Sequence, residues 1–286
     1  MPSAASAAPD TAAPSSLYGG RTSGRVTVRD IADAKRRGER WPMLTSYDFL
    51  TAGIFDRAGI PVLLVGDSAS MVVHGHTSTL PVTVDELISM TAAVVRGTER
   101  AMVVADLPFG SYQTGIQDAL TNSMRFLKES GAHAVKLEGG RRVAPQAEAM
   151  VTAGIPVMGH IGLTPQSVNA LGGYRIQGRG GAGEELLADA KALEAAGAFS
   201  VVLECVPADL AKRITQSVSI PTIGIGAGSG CDAQVLVWQD MAGLNEHTAK
   251  FVKKYADLAT TLGTAAREFA HEVAVGTFPT AQQSYS

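Results

Sequence analysis

The chain has 286 residues, 45% hydrophobic and 18% charged, with a formal net charge of −3. That length suits one barrel-sized domain or two smaller ones, and the balance is that of an ordinary globular protein. No basic stretch of useful length and no apolar run near the roughly 18 residues of a membrane span is present, which speaks against nucleic-acid and membrane partners.

Residues 1–24, rich in Ala, Ser, Pro and Gly, read as a disordered tail; they lack the basic start and apolar core of a signal peptide. Thr27 to Asp30 looks like a capping box opening a short helix. The first candidate strand is Pro42–Ser46. A phrase then recurs in which a helix ends in Ala-Gly or Ser-Gly and a β-rich run follows. It precedes Val62–Val65, Ala134–Leu137, Val157–His160 and Ser200–Leu203. Glycine suits the left-handed position that closes a helix, and proline opens the next strand without needing a donor. Ala119–Glu129 and Glu184–Ala195 have helical spacing. Met102–Ala105, Ile220–Ile225 and Val235–Trp238 complete eight candidate strands. Eight βα units in about 250 residues predict a single-domain (β/α)8 TIM barrel over 25–278, followed by a loose tail over 279–286. An open doubly wound sheet is the runner-up, but no Gly-rich phosphate turn follows its first strand. The turn Gly224–Gly228 comes after the seventh strand instead and is a weak phosphate signal; a plain tight turn is as good a reading. Cys205 and Cys231 form no CxxC and imply no disulfide framework, which fits the cytoplasm.

Six of the apolar runs end in polar or ionisable residues, which in a barrel line one mouth. Lys136 and Glu138 are two apart on one strand and point to the same face. Asp67 and Asp106 end neighbouring strands. Three carboxylates together favour a hard oxygen-seeking ion, Mg²⁺ before Ca²⁺. Each aspartate has a plainer reading as a helix cap. Glu204, ending the sixth strand, is placed to abstract a proton, or else pairs with a cation such as Arg179. His160 is either a substrate contact or a structural histidine. Ser68 offers a hydroxyl beside Asp67 or caps a helix. His74 and His76 read as lid or surface residues, and Trp238 and Met241 as core.

Several long phrases then occur in order: Leu64–Ser68, Val104–Tyr112, Val135–Gly140, Gly159–Gln166, Leu203–Pro207 and Ile223–Gly228. Over roughly Val26 to Phe278 the chain resembles the ketopantoate hydroxymethyltransferase family. The resemblance implies a (β/α)8 enzyme of pantothenate synthesis with one Mg²⁺ per subunit, commonly a homodecamer. It implies transfer of a hydroxymethyl group from 5,10-methylenetetrahydrofolate to the 2-oxo acid 3-methyl-2-oxobutanoate through a Mg-stabilised enolate, giving 2-dehydropantoate. By motif, Asp67 and Asp106 would ligate Mg²⁺ with Glu138 in its shell, directly or through water. Asp67, Ser68, Asp106 and Lys136 would hold the keto acid, and Glu204 would accept the proton. Two rivals stand beside this reading. One is a lyase or mutase working through a related enolate, whose relatives often use a loop cysteine; Cys205 follows Glu204 and should point away from it. The other is a barrel that survives as a scaffold.

Overall fold

The computed structural model describes residues 24–285; apart from Gly24, the tail assigned to 1–24 lies outside them. In chain order the elements are α1 Val28–Arg37, β1 Trp41–Thr45, α2 Phe49–Arg57, β2 Val62–Val65, α3 Ala69–Val72, α4 Val84–Gly97 and β3 Met102–Asp106. Next come α5 Ile116–Arg125, β4 Ala134–Glu138, α6 Ala144–Thr152, β5 Val157–Gly162, α7 Val168–Leu171, α8 Ala182–Ala195 and β6 Ser200–Glu204. The last are α9 Ala208–Ser217, β7 Thr222–Ile225, β8 Ala233–Leu236, α10 Trp238–Met241 and α11 Leu258–Val275. The strands close in sequence order into a parallel barrel, β8 pairing back onto β1, as the spacing predicts.

Alternation along each strand sorts the side chains into two cores. Met43, Val62, Leu64, Met102, Val104, Ala134, Met158, Val202 and Val235 fill the barrel interior. Leu63, Val65, Val103, Ala105, Val135, Leu137, Val201 and Leu203 face the helices. Helix α1 starts at the expected capping box, with the Asp30 side chain accepting from Thr27 N at 2.9 Å. Its buried Ile31 and Ala34 join the interior cluster.

Two details depart from the sequence reading. The eighth strand runs over Ala233–Leu236, two residues earlier than expected, and Trp238 opens α10. Residues 226–232 pass from β7 to β8 without a helix. Pro42 and Gln234 are exposed there, and a groove of about 540 Å³ opens beside them. The Gly-rich turn has a packing reason: Gly226 and Gly228 stand at φ +63° and +73°, where a β-carbon would strike Phe251 and Ala208. Beyond the barrel, α11 is 18 residues long with none buried, although Leu262, Phe269 and Val273 are apolar. The stretch after Pro279 forms a turn, Ala281–Gln283, capped by Thr280. Among the described residues no helix is long and apolar enough to cross a membrane.

Candidate active site

The carboxyl ends of β2 to β6 bring the predicted residues together. Ala134 lies in the barrel interior, so Lys136 and Glu138, two and four residues on, also face inward. Register sets Asp106 beside Lys136, Glu138 beside His160 and Gly162 beside Glu204. Asp67, Asp106, Lys136, Glu138 and His160 are all buried. Lys136 Nζ lies 2.9 Å from Asp106 Oδ1, 3.9 Å from Glu138 Oε1 and 3.2 Å from His160 Nδ1. Glu204 keeps 17% of its side chain exposed at the rim, with Oε2 3.2 Å from His160 Nε2. It meets this histidine rather than Arg179.

Neither aspartate caps a helix. Asp106 Oδ2 accepts from Asp67 N at 3.2 Å, and Asp67 Oδ2 accepts from Gln166 Nε2 at 2.9 Å. Ser68 stands at the start of α3 without a side-chain cap bond; its hydroxyl meets that of buried Tyr47 at 2.8 Å. Gly66 makes this turn fit, since a β-carbon there would lie 2.8 Å from Ser68 Oγ.

The cluster carries opposed charges in a dry setting. Burial, then the charges of Asp106 and Glu138, push the Asp67 carboxyl well above its ordinary range. Burial also raises Asp106, although Lys136 pulls against it. Burial opposes the charge on Glu138, yet His160 and Lys136 hold its carboxyl below the usual range. Burial likewise opposes the Lys136 charge, and Asp106, Glu138 and Asp67 outweigh it, holding the ammonium above the ordinary lysine range. For His160, burial and Lys136 disfavour the imidazolium, but Glu138 and Glu204 raise it to about 9. Protonated, the ring lies within ion-pair distance of Glu138 (3.3 Å from Nδ1) and Glu204 (3.2 Å from Nε2), although Nε2 makes no hydrogen bond.

The three buried carboxylates, Asp67, Asp106 and Glu138, outnumber the two buried cations, Lys136 and protonated His160, and Asp106 Oδ1 has no hydrogen bond despite its ion pair. Both features fit a hard divalent cation. Among the described residues no three His, Cys, Asp or Glu side chains already stand at metal-holding spacing. Mg²⁺ asks less, because one or two carboxylates suffice when water and substrate oxygens complete its shell.

Asp67, Ser68, Asp106, Lys136 and Glu204 line one cavity of about 170 Å³. It is smaller than the roughly 300–1,000 Å³ of sites for drug-sized ligands, so it suits a small acid with a larger molecule left at the rim. Met71 and exposed Tyr174 stand at that rim, the tyrosine hydroxyl 3.8 Å from the thioether sulfur. His74 and His76 are exposed, as the sequence suggests, and Trp238 is half-buried against Phe55. Burial, then Glu204, push the Cys205 thiol up to about 11, so it stays protonated near neutrality and is a poor nucleophile.

Sequence reasoning assigned no role to Tyr112 or Gln166. Both lie inside quoted motifs, but each acts through contacts with distant chain: Tyr112 OH is 2.6 Å from Gln166 Oε1, and Gln166 N donates to Glu138 Oε2 at 2.9 Å.

The sequence model of one family, described as ketopantoate hydroxymethyltransferase, matches residues 25–281. A 3-methyl-2-oxobutanoate hydroxymethyltransferase of Thermobifida fusca (strain YX) is 68% identical over 271 residues, 94% of this chain and 97% of that protein. One of the same description from Frankia alni is 68% identical over 262 residues, covering 91% of this chain and 86% of its own length. Among solved structures, a phosphonopyruvate hydrolase complexed with oxalate and Mg²⁺ superposes with a TM-score of 0.57 at 13% identity, covering 90% of this chain and 93% of its own. A 2,3-dimethylmalate lyase does so at 0.56 and 17%, covering 92% and 93%. At those identities the structures share the fold alone.

Proposed function

Because the chain belongs to the ketopantoate hydroxymethyltransferase family, we propose that it moves a hydroxymethyl group from 5,10-methylenetetrahydrofolate to 3-methyl-2-oxobutanoate, giving 2-dehydropantoate for pantothenate synthesis. The observation that carries this reading is the buried group of Asp67, Asp106 and Glu138 around Lys136, with Glu204 at the rim of the same small cavity.

One Mg²⁺ per subunit, held by Asp67 and Asp106 with Glu138 beside it directly or through water, would supply Lewis-acid stabilisation of negative charge on the keto oxygen. Asp67, Ser68, Asp106 and Lys136 bind and orient the keto acid. The Lys136 ammonium, kept charged by its carboxylates, faces the anion that forms as C3 loses its proton. Glu204 takes that proton; its position next to His160 fixes the carboxylate, and its partial exposure gives the proton a way out. A new bond joins C3 to the one-carbon unit, one water supplies the hydroxyl oxygen, and both carbon–nitrogen bonds to the folate break to release tetrahydrofolate; the folate sits at the rim because the inner cavity is small. Charge on the keto oxygen is greater in the transition state than in the ground state, so Lys136 should act chiefly on turnover.

The proposal extends to the whole molecule. The catalytic domain spans 25–278, and the chain assembles as a homo-oligomer, a decamer by the resemblance. Support for assembly comes from α11, whose apolar Leu262, Phe269 and Val273 are about half exposed on a helix with no buried residue. A cytoplasmic location is consistent with two free thiols. Proton NMR of the keto acid in D₂O tests the chemistry: Mg²⁺-dependent loss of the C3–H signal, then ketopantoate on adding the folate, is expected. Absence of exchange under both conditions overturns the assignment.

A further inference from the structure

We infer that Gln166 is a positioning residue that holds Asp67 and Glu138 in the orientation a divalent cation requires; the inference rests on the metal reading above. Gln166 is 5% exposed and lies on the turn after β5, away in sequence from both carboxylates. Its Nε2 donates to Asp67 Oδ2 and to the Leu107 carbonyl, each at 2.9 Å, while its backbone N–H donates to Glu138 Oε2 at 2.9 Å. One residue therefore occupies one oxygen of each of two carboxylates, one just after β2 and the other at the end of β4.

The orientation of the amide is determined by its neighbours. Its Oε1 faces two donors, the Tyr112 hydroxyl at 2.6 Å and Gln113 Nε2 at 3.0 Å, while its Nε2 faces two acceptors. Turning the amide over would set its oxygen against the Asp67 carboxylate and the Leu107 carbonyl and its nitrogen against Gln113 Nε2, leaving only the Tyr112 hydroxyl, which can donate or accept, as a partner. Tyr112 is held in turn, because its hydroxyl accepts from Glu138 N at 3.0 Å. The chain Gln113–Gln166–Asp67 and the chain Glu138–Tyr112–Gln166 thus share one side chain.

The chemistry of an amide matters here. Glu138 is held by the backbone N–H whatever the side chain, but Asp67 is held by the amide itself; a lysine or arginine there would neutralise that carboxylate and compete with a cation. Glutamine donates hydrogen bonds and adds no charge, so the negative charge of the cluster stays available. Groups that orient metal ligands in this way typically govern metal affinity by about 10–100-fold when removed.

Mn²⁺ is the probe, titrated into the metal-free protein and followed by the loss of the free-ion electron paramagnetic resonance signal, with unfolding temperature measured alongside. Gln166→Met is expected to bind Mn²⁺ about 10–100-fold more weakly than wild type. Tyr112→Phe, which keeps the glutamine but removes one of its anchors, should show a smaller loss, still more than twofold, and carries the test should Gln166→Met fail to fold. A role confined to packing would lower the unfolding temperature and leave the Kd of the folded protein within twofold of wild type; that result overturns the inference. If wild type itself binds no Mn²⁺, the metal reading has failed, and the inference with it, before either variant is compared.

Discussion

Replacing Lys136 by methionine removes the ammonium at the centre of the carboxylate cluster while keeping much of the side-chain volume. At 2.9 Å from Asp106 Oδ1 and 3.9 Å from Glu138 Oε1, the two attractions are worth about 6 and 4 kcal/mol at an effective dielectric constant of 20. The full loss is not expected, because a buried carboxylate can escape by taking up a proton. For a carboxyl of ordinary pKa near 4, that costs about 4 kcal/mol at pH 7. The variant should therefore be less stable than wild type by about 3–5 kcal/mol at pH 7, the range seen when one partner of a buried ion pair is deleted. The pH dependence has a definite sign. The folded variant holds one proton more than the unfolded chain above the ordinary carboxylate pKa, so its deficit grows with pH. It should shrink by about 1.4 kcal/mol per unit as the pH is lowered from 7 towards 5. Urea unfolding of metal-free wild type and variant at pH 7, 6 and 5 measures this directly. Equal stabilities at pH 7, or a deficit that widens on acidification, would refute the electrostatic account of the cluster.

Glu204→Gln should keep Mg²⁺ and keto-acid binding while lowering C3–H exchange in D₂O by about 10²–10⁴-fold, the usual contribution of a general base; normal exchange would remove Glu204 from that role. Burial, with help from the Arg25 charge, pushes the His133 imidazole down to about 4, and its Nδ1 accepts from Val103 N at 2.9 Å. The unfolded chain protonates near the ordinary value of 6.5, so this contribution is complete above that pH and is lost as pH falls towards 4. Between pH 7 and 5 wild type should lose about 1–2 kcal/mol that His133→Asn does not, as read by urea unfolding. Deleting residues 258–286 removes α11, none of whose residues is buried. By light scattering the truncated chain should form particles of fewer subunits than wild type, and an unchanged subunit number would exclude this helix from assembly.

Much of the barrel was legible in the linear chain because its causes are local. Glycine at the helix ends, the apolar strands and the capping box at Thr27 each follow from conformational preference or burial within a few residues. The same alternation that buries Ala134 turns Lys136 and Glu138 inward, so strand periodicity alone puts an ammonium and a carboxylate on one face. Sequence could not say whether Asp67 and Asp106 cap helices or meet each other, since both roles use the same residue type at the same place. Only closure of the barrel, which sets Asp106 beside Lys136, decided that. It likewise decided that Glu204 faces His160 rather than Arg179. Gln166 was invisible for the same reason: its partners lie as many as 99 residues away, and hydrogen bonds over such spans leave no local pattern. The missing helix between β7 and β8 and the solvent-exposed α11 also belong to the tertiary structure, because coverage of a barrel wall depends on where every other element has packed.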